Sequence, residues 1–459
     1  MIMEKIELKN VDKTIYREVL DNGLEIIIIP NNEFSKKKNY YFNYGTYYGA
    51  AINEFVPKGM SKMTSFPSGI AHFLEHKMFE SKDGIKPFDF YAKTGSYVNA
   101  FTSYKSTCYI VTGNKKMKEN LEYLLTFVNS PYFTDENVKK EQGIISEEAA
   151  MNDDNPDYLA YKTINKNLYK LSPYNTPILG TVSTIKKITK EDLYACYNIF
   201  YRPSNMFLVV GGAVSPDEVL KITTDTLARF NLEKDKDIKI KHYKEPVKVV
   251  KDYEEIKREV QVEKLAMGFK MEKAKFRIKN KVILDLYFNM IVSLCFGSSS
   301  EFREMIRKRH LVSRSGYYFQ DVDNIITFMV EADVLNYPVY IKELENYLAN
   351  LSIEEKDLER MKKVWISSEV IKTDYADNLV DNVVDELVNY HKVVDNYVEL
   401  IKNMNVTTIM EVINSLDFSN KAIVRVVNKN NSLQNDWCYD IIEDVKKMFR
   451  WLFGYEHWL

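Results

Sequence analysis

The chain has 459 residues, 45% of them hydrophobic and 28% charged, with a formal net charge of -2 at pH 7. That length exceeds what one hydrophobic core usually supports, so two or more domains of ordinary globular composition are expected. The near-neutral balance gives nucleic acid no electrostatic purchase as the main partner.

No run of about 18 apolar residues occurs, so no transmembrane segment is expected. The opening MIMEKIELKN is interrupted by charges at once and does not read as a signal peptide. The four cysteines, Cys108, Cys196, Cys295 and Cys438, are far apart and form no CxxC pair, which reads as buried thiols in a reducing compartment. A cytoplasmic protein is the expectation.

In chain order, residues 16–30 read as a turn at Asp21-Asn22-Gly23 leading into a strand. Residues 38–54 read as an aromatic strand, bulged at Gly45 or Gly49. A helix starts near Pro67-Ser68, another spans 87–94 and stops at Gly95, and 96–112 give two strands joined by a turn. Helices follow over 115–129 and 135–153, the second capped by Thr134. Residues 188–214 run helix then strand, and 406–428 repeat that order, each with a Thr helix start (Thr189, Thr407) and a Ser-Asn before the strand. This weak repeat points to two similar halves. The Lys/Glu/Asp-rich stretch 233–247 is placed as the linker, with an N-terminal domain over 1–235 and a C-terminal one over 246–459. Strands and helices do not alternate strictly, so each half is expected to be an α+β domain, a mainly antiparallel sheet packed with helices. The tail KKMFRWLFGYEHWL is unusually aromatic and reads as packing against the second half, with a partner or membrane-surface contact as the alternative; its His457 is given no metal role.

The segment GIAHFLEHKMFE carries the chemistry. His72 and His76 are four apart, so on a helix they share a face and can bind one zinc ion. Glu75 lies three after His72, within reach of a water on that metal, giving the H-x-x-E-H form of a zinc-peptidase signature. A catalytic site needs a third protein ligand, and the 135–153 helix offers Glu141, Glu147 and Glu148. Glu141 and Glu148 are two turns apart on one face, whereas Glu147 is rotated by about 100° from Glu148. Two aligned carboxylates suit one ligand and one partner that orients a histidine. A plain solvated helix face would look the same.

Residues 16–214 resemble the pitrilysin/insulinase family of zinc peptidases, the inverzincins, and specifically its half-size bacterial members. The resemblance rests on LDNGLEIIIIP, GIAHFLEHKMFE, GSYVNAFTSYKSTCY, EQGIISEEAAMNDDNP and ITKEDLYACYNIFYRPSNMFLVVGG, in the family's order. It implies one zinc per chain, held by His72, His76 and Glu148, with Glu141 supporting and Glu75 as general base. It also implies that Asn99, Ala100 and Phe101 present an edge strand to peptide substrate, with Tyr109 closing that hairpin. In the C-terminal half, Arg307 and Tyr317 are the implied substrate contacts, with Arg303, Arg309 or Tyr318 as alternatives. The implied function is a zinc-dependent endopeptidase acting on peptides or unfolded segments, as a homo- or heterodimer with a related chain. Other readings are a non-catalytic peptide-binding subunit of a heterodimer, a dedicated maturase of one precursor, and a zinc hydrolase of another substrate class.

Overall fold

The computed structural model describes residues 3–9, 13–31, 38–230, 232, 237–372 and 376–429. The aromatic tail with Cys438 and His457, and the head of the expected linker at 233–236, lie outside the described residues.

Two sheets organise the chain. The first is built from β1 (Glu4–Leu8), β2 (Lys13–Val19), β3 (Glu25–Pro30), β4 (Tyr40–Thr46), β7 (Tyr97–Thr102), β8 (Thr107–Gly113) and β9 (Met206–Gly212). A small ribbon, β5 (Glu54–Phe55) and β6 (Thr64–Ser65), stands apart. The second sheet holds β10 (Tyr253–Arg258), β11 (Glu263–Glu272), β12 (Val312–Val322), β13 (Ile325–Val334) and β14 (Lys421–Asn428). The orders are β1-β2-β3-β9-β4-β8-β7 and β10-β14-β11-β13-β12. The last five positions of the first sheet repeat the whole of the second. In each, the final strand inserts beside the first and parallel to it, and every other pairing in the sheet is antiparallel. The fold is α+β with two like halves, and the helix–strand repeat read from the sequence is the closing unit of each.

Strand β3 shows why the first sheet is covered on both faces. Its four consecutive isoleucines are all buried: Ile26 and Ile28 face the helices of the first half, while Ile27 and Ile29 face the other way. A continuous apolar strand needs such double cover. The second cover comes from the far half: the helix Ala376–Tyr390 lays Leu379, Val380, Val383, Val384 and Leu387 on it, a stripe at helical spacing. The exchange is reciprocal. The helix Pro156–Leu168 leaves the first half and packs Leu159, Ala160, Ile164 and Leu168 on β11 and β14.

The segment expected as a linker is partly structural. Ile240 bridges to Phe55, and Glu245 is fully buried. The Glu245 carboxylate accepts the backbone N–H groups of Lys170, Leu171 and Ser172 at 2.7–2.8 Å and meets the buried Lys270 ammonium at 2.9 Å. A buried anion so completely partnered fixes the crossing chain against both halves; removing one partner of such a pair typically costs about 3–5 kcal/mol. The charge density that suggested a loose tether had concealed this internal pair.

Two local expectations are corrected. Strand β4 ends at Thr46 and pairs with β8 and β9 in unbroken register, so Gly45 makes no bulge and Gly49 lies beyond the strand. Gly49 is required by close approach: a Cβ there would lie 2.5 Å from the Ser103 carbonyl oxygen. At the second repeat the helix Val406–Asn414 is capped by Asn405, whose side chain accepts from Thr408 N at 2.9 Å, and Thr407 lies inside the helix. The other caps are as read: Thr134 and Asn137, and Thr189 and Asp192, form reciprocal capping boxes. Cys108, Cys196 and Cys295 are buried free thiols. The apolar helix Lys281–Phe296 fills the second core with Leu284, Tyr287, Phe288, Met290 and Ile291.

Glu386, on the exchanged helix, is buried and accepts Val394 N–H at 2.7 Å. Burial pushes its carboxyl up to about 8, against the pull of that hydrogen bond. The folded state therefore holds this proton where the unfolded chain has released it, and stability declines as pH rises from the ordinary glutamate range through about 8. Glu386→Gln removes that decline. Thermal unfolding should show the variant more stable than wild type at pH 9, by on the order of 5 kcal/mol, with the difference closing below pH ~4.5.

Candidate metal centre

The helix Ile70–Lys77 is short and apolar on most sides, with Ile70, Ala71, Phe73 and Leu74 in the first core. It starts at Gly69, whose φ of 94° is in the left-handed region and whose missing Cβ leaves room for the Leu179 carbonyl. The polar residues His72, Glu75 and His76 are left facing the helix Asp135–Asp154 and strand β7. The Asp135–Asp154 helix turns Val138, Glu141, Ile145 and Ala149 inward, so Glu141 and Glu148 approach the histidines while Glu147 is exposed.

One ligand atom from each of His72, His76 and Glu148 lies within 4.8 Å of the others. The Glu148 oxygens stand 3.9 Å from His72 Nε2 and 3.7 Å from His76 Nε2. Tetrahedral zinc with ligands at roughly 2.0–2.1 Å needs donors only a few tenths of an ångström closer, and two imidazoles with one carboxylate are a donor set of catalytic zinc sites. Burial, then the neighbouring His76, pulls His72 down to about 3, so its ring is neutral and keeps a lone pair for a metal. His72 Nδ1 is buried without a hydrogen-bond partner among the described residues. His76 Nδ1 lies 3.1 Å from Glu141 Oε1, the arrangement that places the proton on Nδ1 and leaves Nε2 as donor to a metal. Burial would raise the Glu141 carboxyl, but the His76 hydrogen bond and charge, then Lys77, bring it below the ordinary range. The residues present fit a zinc ion.

Glu75 is buried beside this cluster. Burial raises its carboxyl, opposed by a 2.6 Å hydrogen bond in which Thr102 Oγ1 donates to Oε2. A cleft of about 410 Å³ joins His72, Glu75, His76 and Glu148 to Asn99–Thr102 of β7, to Tyr158, Tyr161 and Lys162, and to the segment 177–179.

Residues 55–182 match the family described as "Insulinase (Peptidase family M16)", and residues 187–364 match "Peptidase M16 inactive domain". The uncharacterized zinc protease YmfH of Bacillus subtilis is 38% identical over 312 residues, covering 68% of this chain and 72% of that protein. This chain belongs to the insulinase family of peptidases. The zinc protease PqqE of Helicobacter pylori is 24% identical over 399 residues, covering 81% of this chain and 85% of that protein. Among solved structures, an M16-like peptidase from Alicyclobacillus acidocaldarius overlays with a TM-score of 0.83 at 26% identity, covering 94% of this chain and 99% of that one. Pitrilysin shares the fold at 14% identity and a TM-score of 0.71, with 93% of this chain spanning 46% of it. The chain thus has the length of one half of pitrilysin.

Among the residues expected from the insulinase family, His72, Glu75, His76, Glu141 and Glu148 come together. Asn99, Ala100 and Phe101 lie on β7, which is the sheet's edge, and line the cleft. Tyr109 differs from a substrate contact: it is fully buried, and its hydroxyl lies 2.9 Å from that of Tyr201. Tyr317 is likewise a core residue, stacked on Phe296 with its hydroxyl 2.9 Å from that of Tyr340. Arg307 is exposed on the helix Glu301–Lys308 and does not line the cleft. The alternatives have structural partners of their own: Arg303 binds Ser315, Arg309 pairs with Glu343, and the Tyr318 hydroxyl donates to Glu331. The sequence reading missed Thr102, although strand alternation puts it on the same face as Ala100. It also missed Tyr158, Tyr161 and Lys162, which had no motif to mark them.

The geometry separates the two adjacent carboxylates. Glu148→Gln should leave zinc content after dialysis against a chelator well below wild type, whereas Glu147→Gln should retain it; metal analysis of the two proteins checks the assignment.

Proposed function

We propose that this insulinase-family chain is a zinc-dependent endopeptidase that hydrolyses peptide bonds in peptides or unfolded segments. One observation carries the reading. Two imidazole Nε2 atoms and a carboxylate converge beside an anchored glutamate, in a cleft walled by an unpaired strand edge.

When bound, zinc supplies Lewis acidity, bringing a coordinated water towards a pKa of ~7 and polarising the scissile carbonyl. The rest falls to the protein. His72, His76 and Glu148 hold the ion. Glu75 takes the water's proton and passes it to the leaving amine. Thr102 occupies Glu75 Oε2, so the other oxygen is the one free to accept. The edge of β7 pairs with the peptide backbone as an added strand, which reads main chain more than side chain and gives loose sequence preference. Tyr158, Tyr161 and Ile178 offer apolar contact to side chains that turn into the cleft.

A second, related chain is part of the proposal. Phe101 on the cleft wall and Ile144 and Met151, which flank Glu148 on its helix, are exposed apolar side chains that such a chain would cover. A reducing, cytoplasmic setting is supported by the three buried free thiols.

Glu75→Gln should keep zinc yet lower kcat for a peptide substrate by about 1,000-fold. Thr102→Val should lower kcat by roughly tenfold with zinc content and KM little changed, and Thr102→Ser should restore it. Steady-state kinetics on a quenched fluorescent peptide, with metal analysis of each protein, test both; a Glu75→Gln protein as active as wild type would remove the proposed base.

A further inference from the structure

The last residue of the histidine helix is a lysine with no exposed side-chain surface. Lysine is rarely fully buried, and an ammonium withdrawn from water is tolerated only when it is paired. Lys77 has three partners. Its Nζ lies 2.8 Å from Glu80 Oε1, donates to the Asn137 carbonyl at 3.2 Å, and stands 3.8 Å from Glu141 Oε2. Asn137 and Glu141 are one turn apart on the carboxylate helix, so a single ammonium grips that helix at two successive levels. The other Glu141 oxygen, Oε1, is the one that faces His76 Nδ1.

We propose that Lys77 is a positioning residue for the metal, acting through Glu141. The two oxygens of Glu141 are divided between Lys77 and His76. A carboxylate held at both ends cannot swing away from the imidazole, so the His76 ring stays turned with Nε2 towards Glu148. The Asn137 carbonyl holds the ammonium against the carboxylate helix, so that it stays beside Glu141. Glu80, half-exposed just beyond the helix end, balances the remaining charge.

This inference rests on the reading that the site takes zinc, and the test separates the two. Metal-free wild type, K77M, E141Q and the double variant are titrated with zinc in competition with a chromogenic chelator. Lys77→Met should weaken zinc binding by roughly 10–100-fold in the wild-type background, the range expected for a residue that orients a ligand. In the E141Q background the same change should weaken it by no more than about twofold, because the relay is already cut. Equal losses in both backgrounds would make Lys77 a general packing element and overturn the proposal. So would a K77M protein that binds zinc as wild type does. If K77M does not fold, Lys77→Gln, which keeps hydrogen bonding without charge, is read in the same way and should show a smaller loss that again depends on Glu141. Wild type that binds no zinc would instead remove the zinc reading itself.

Discussion

The site depends on holding two helices, some sixty residues apart in sequence, at one separation. Nothing in either helix alone makes a metal centre. The histidines share a face by local periodicity, and Glu141 and Glu148 share one for the same reason, but the donor set exists only when the two faces meet. The contact that enforces this is polar, His76 to Glu141, set inside an apolar frame of Phe73, Leu74, Val138 and Ile145. In a medium that excludes water, a satisfied polar contact of this kind specifies one register between the helices, because every other register strands a carboxylate or an imidazole.

That frame is not supplied by the first half alone. The carboxylate helix ends at Asn155, which caps the next helix by accepting from Asp157 and Tyr158 N–H. This next helix is the one that crosses to the second sheet. One face packs on β11 and β14, while Tyr158, Tyr161 and Lys162 turn to the cleft. An ion-pair group of Asp157 with Lys264 and Arg314, themselves joined to Asp333, fastens its start to the second sheet. The cleft wall is therefore positioned by the half that carries no ligand. The reciprocal helix, Ala376–Tyr390, roofs the isoleucines of β3.

What could be read from the sequence follows from the range of each interaction. His72, Glu75 and His76 are a local pattern on one helix, and Glu141 with Glu148 another, so both were legible, as were the caps at Thr134 and Thr189. The repeat was legible only at its closing helix–strand unit, yet that unit is what the sheet orders duplicate. The errors share a cause. Tyr109 and Tyr317 are aromatic residues on strands, and sequence alone does not say whether such a ring faces a cleft or a core; both face the core and share hydroxyl hydrogen bonds with other buried tyrosines. Glu245 sat in a run of charges that looked solvated, and its burial depends on Lys270 and on three backbone N–H groups seventy residues upstream. Thr102 acts on Glu75 across a helix–strand contact that no spacing rule expresses.

The duplication also bears on why, among the described residues, the candidate metal centre lies in one half alone. Where the first half places Ile70–Lys77 between its second and third core strands, the second half places Lys281–Phe296 and Glu301–Lys308 between β11 and β12. Neither of those helices contains a histidine. The longer is lined with Tyr287, Phe288, Met290 and Ile291, all buried. A cation there would have to displace apolar packing with no cluster of three donors among the described residues to receive it, at a desolvation cost that packing cannot return. The shared topology survives because it rests on the apolar strands and the exchanged helices, features both halves keep. The half without the donor cluster is still the surface that orients Pro156–Leu168, and with it one wall of the cleft around His72 and His76.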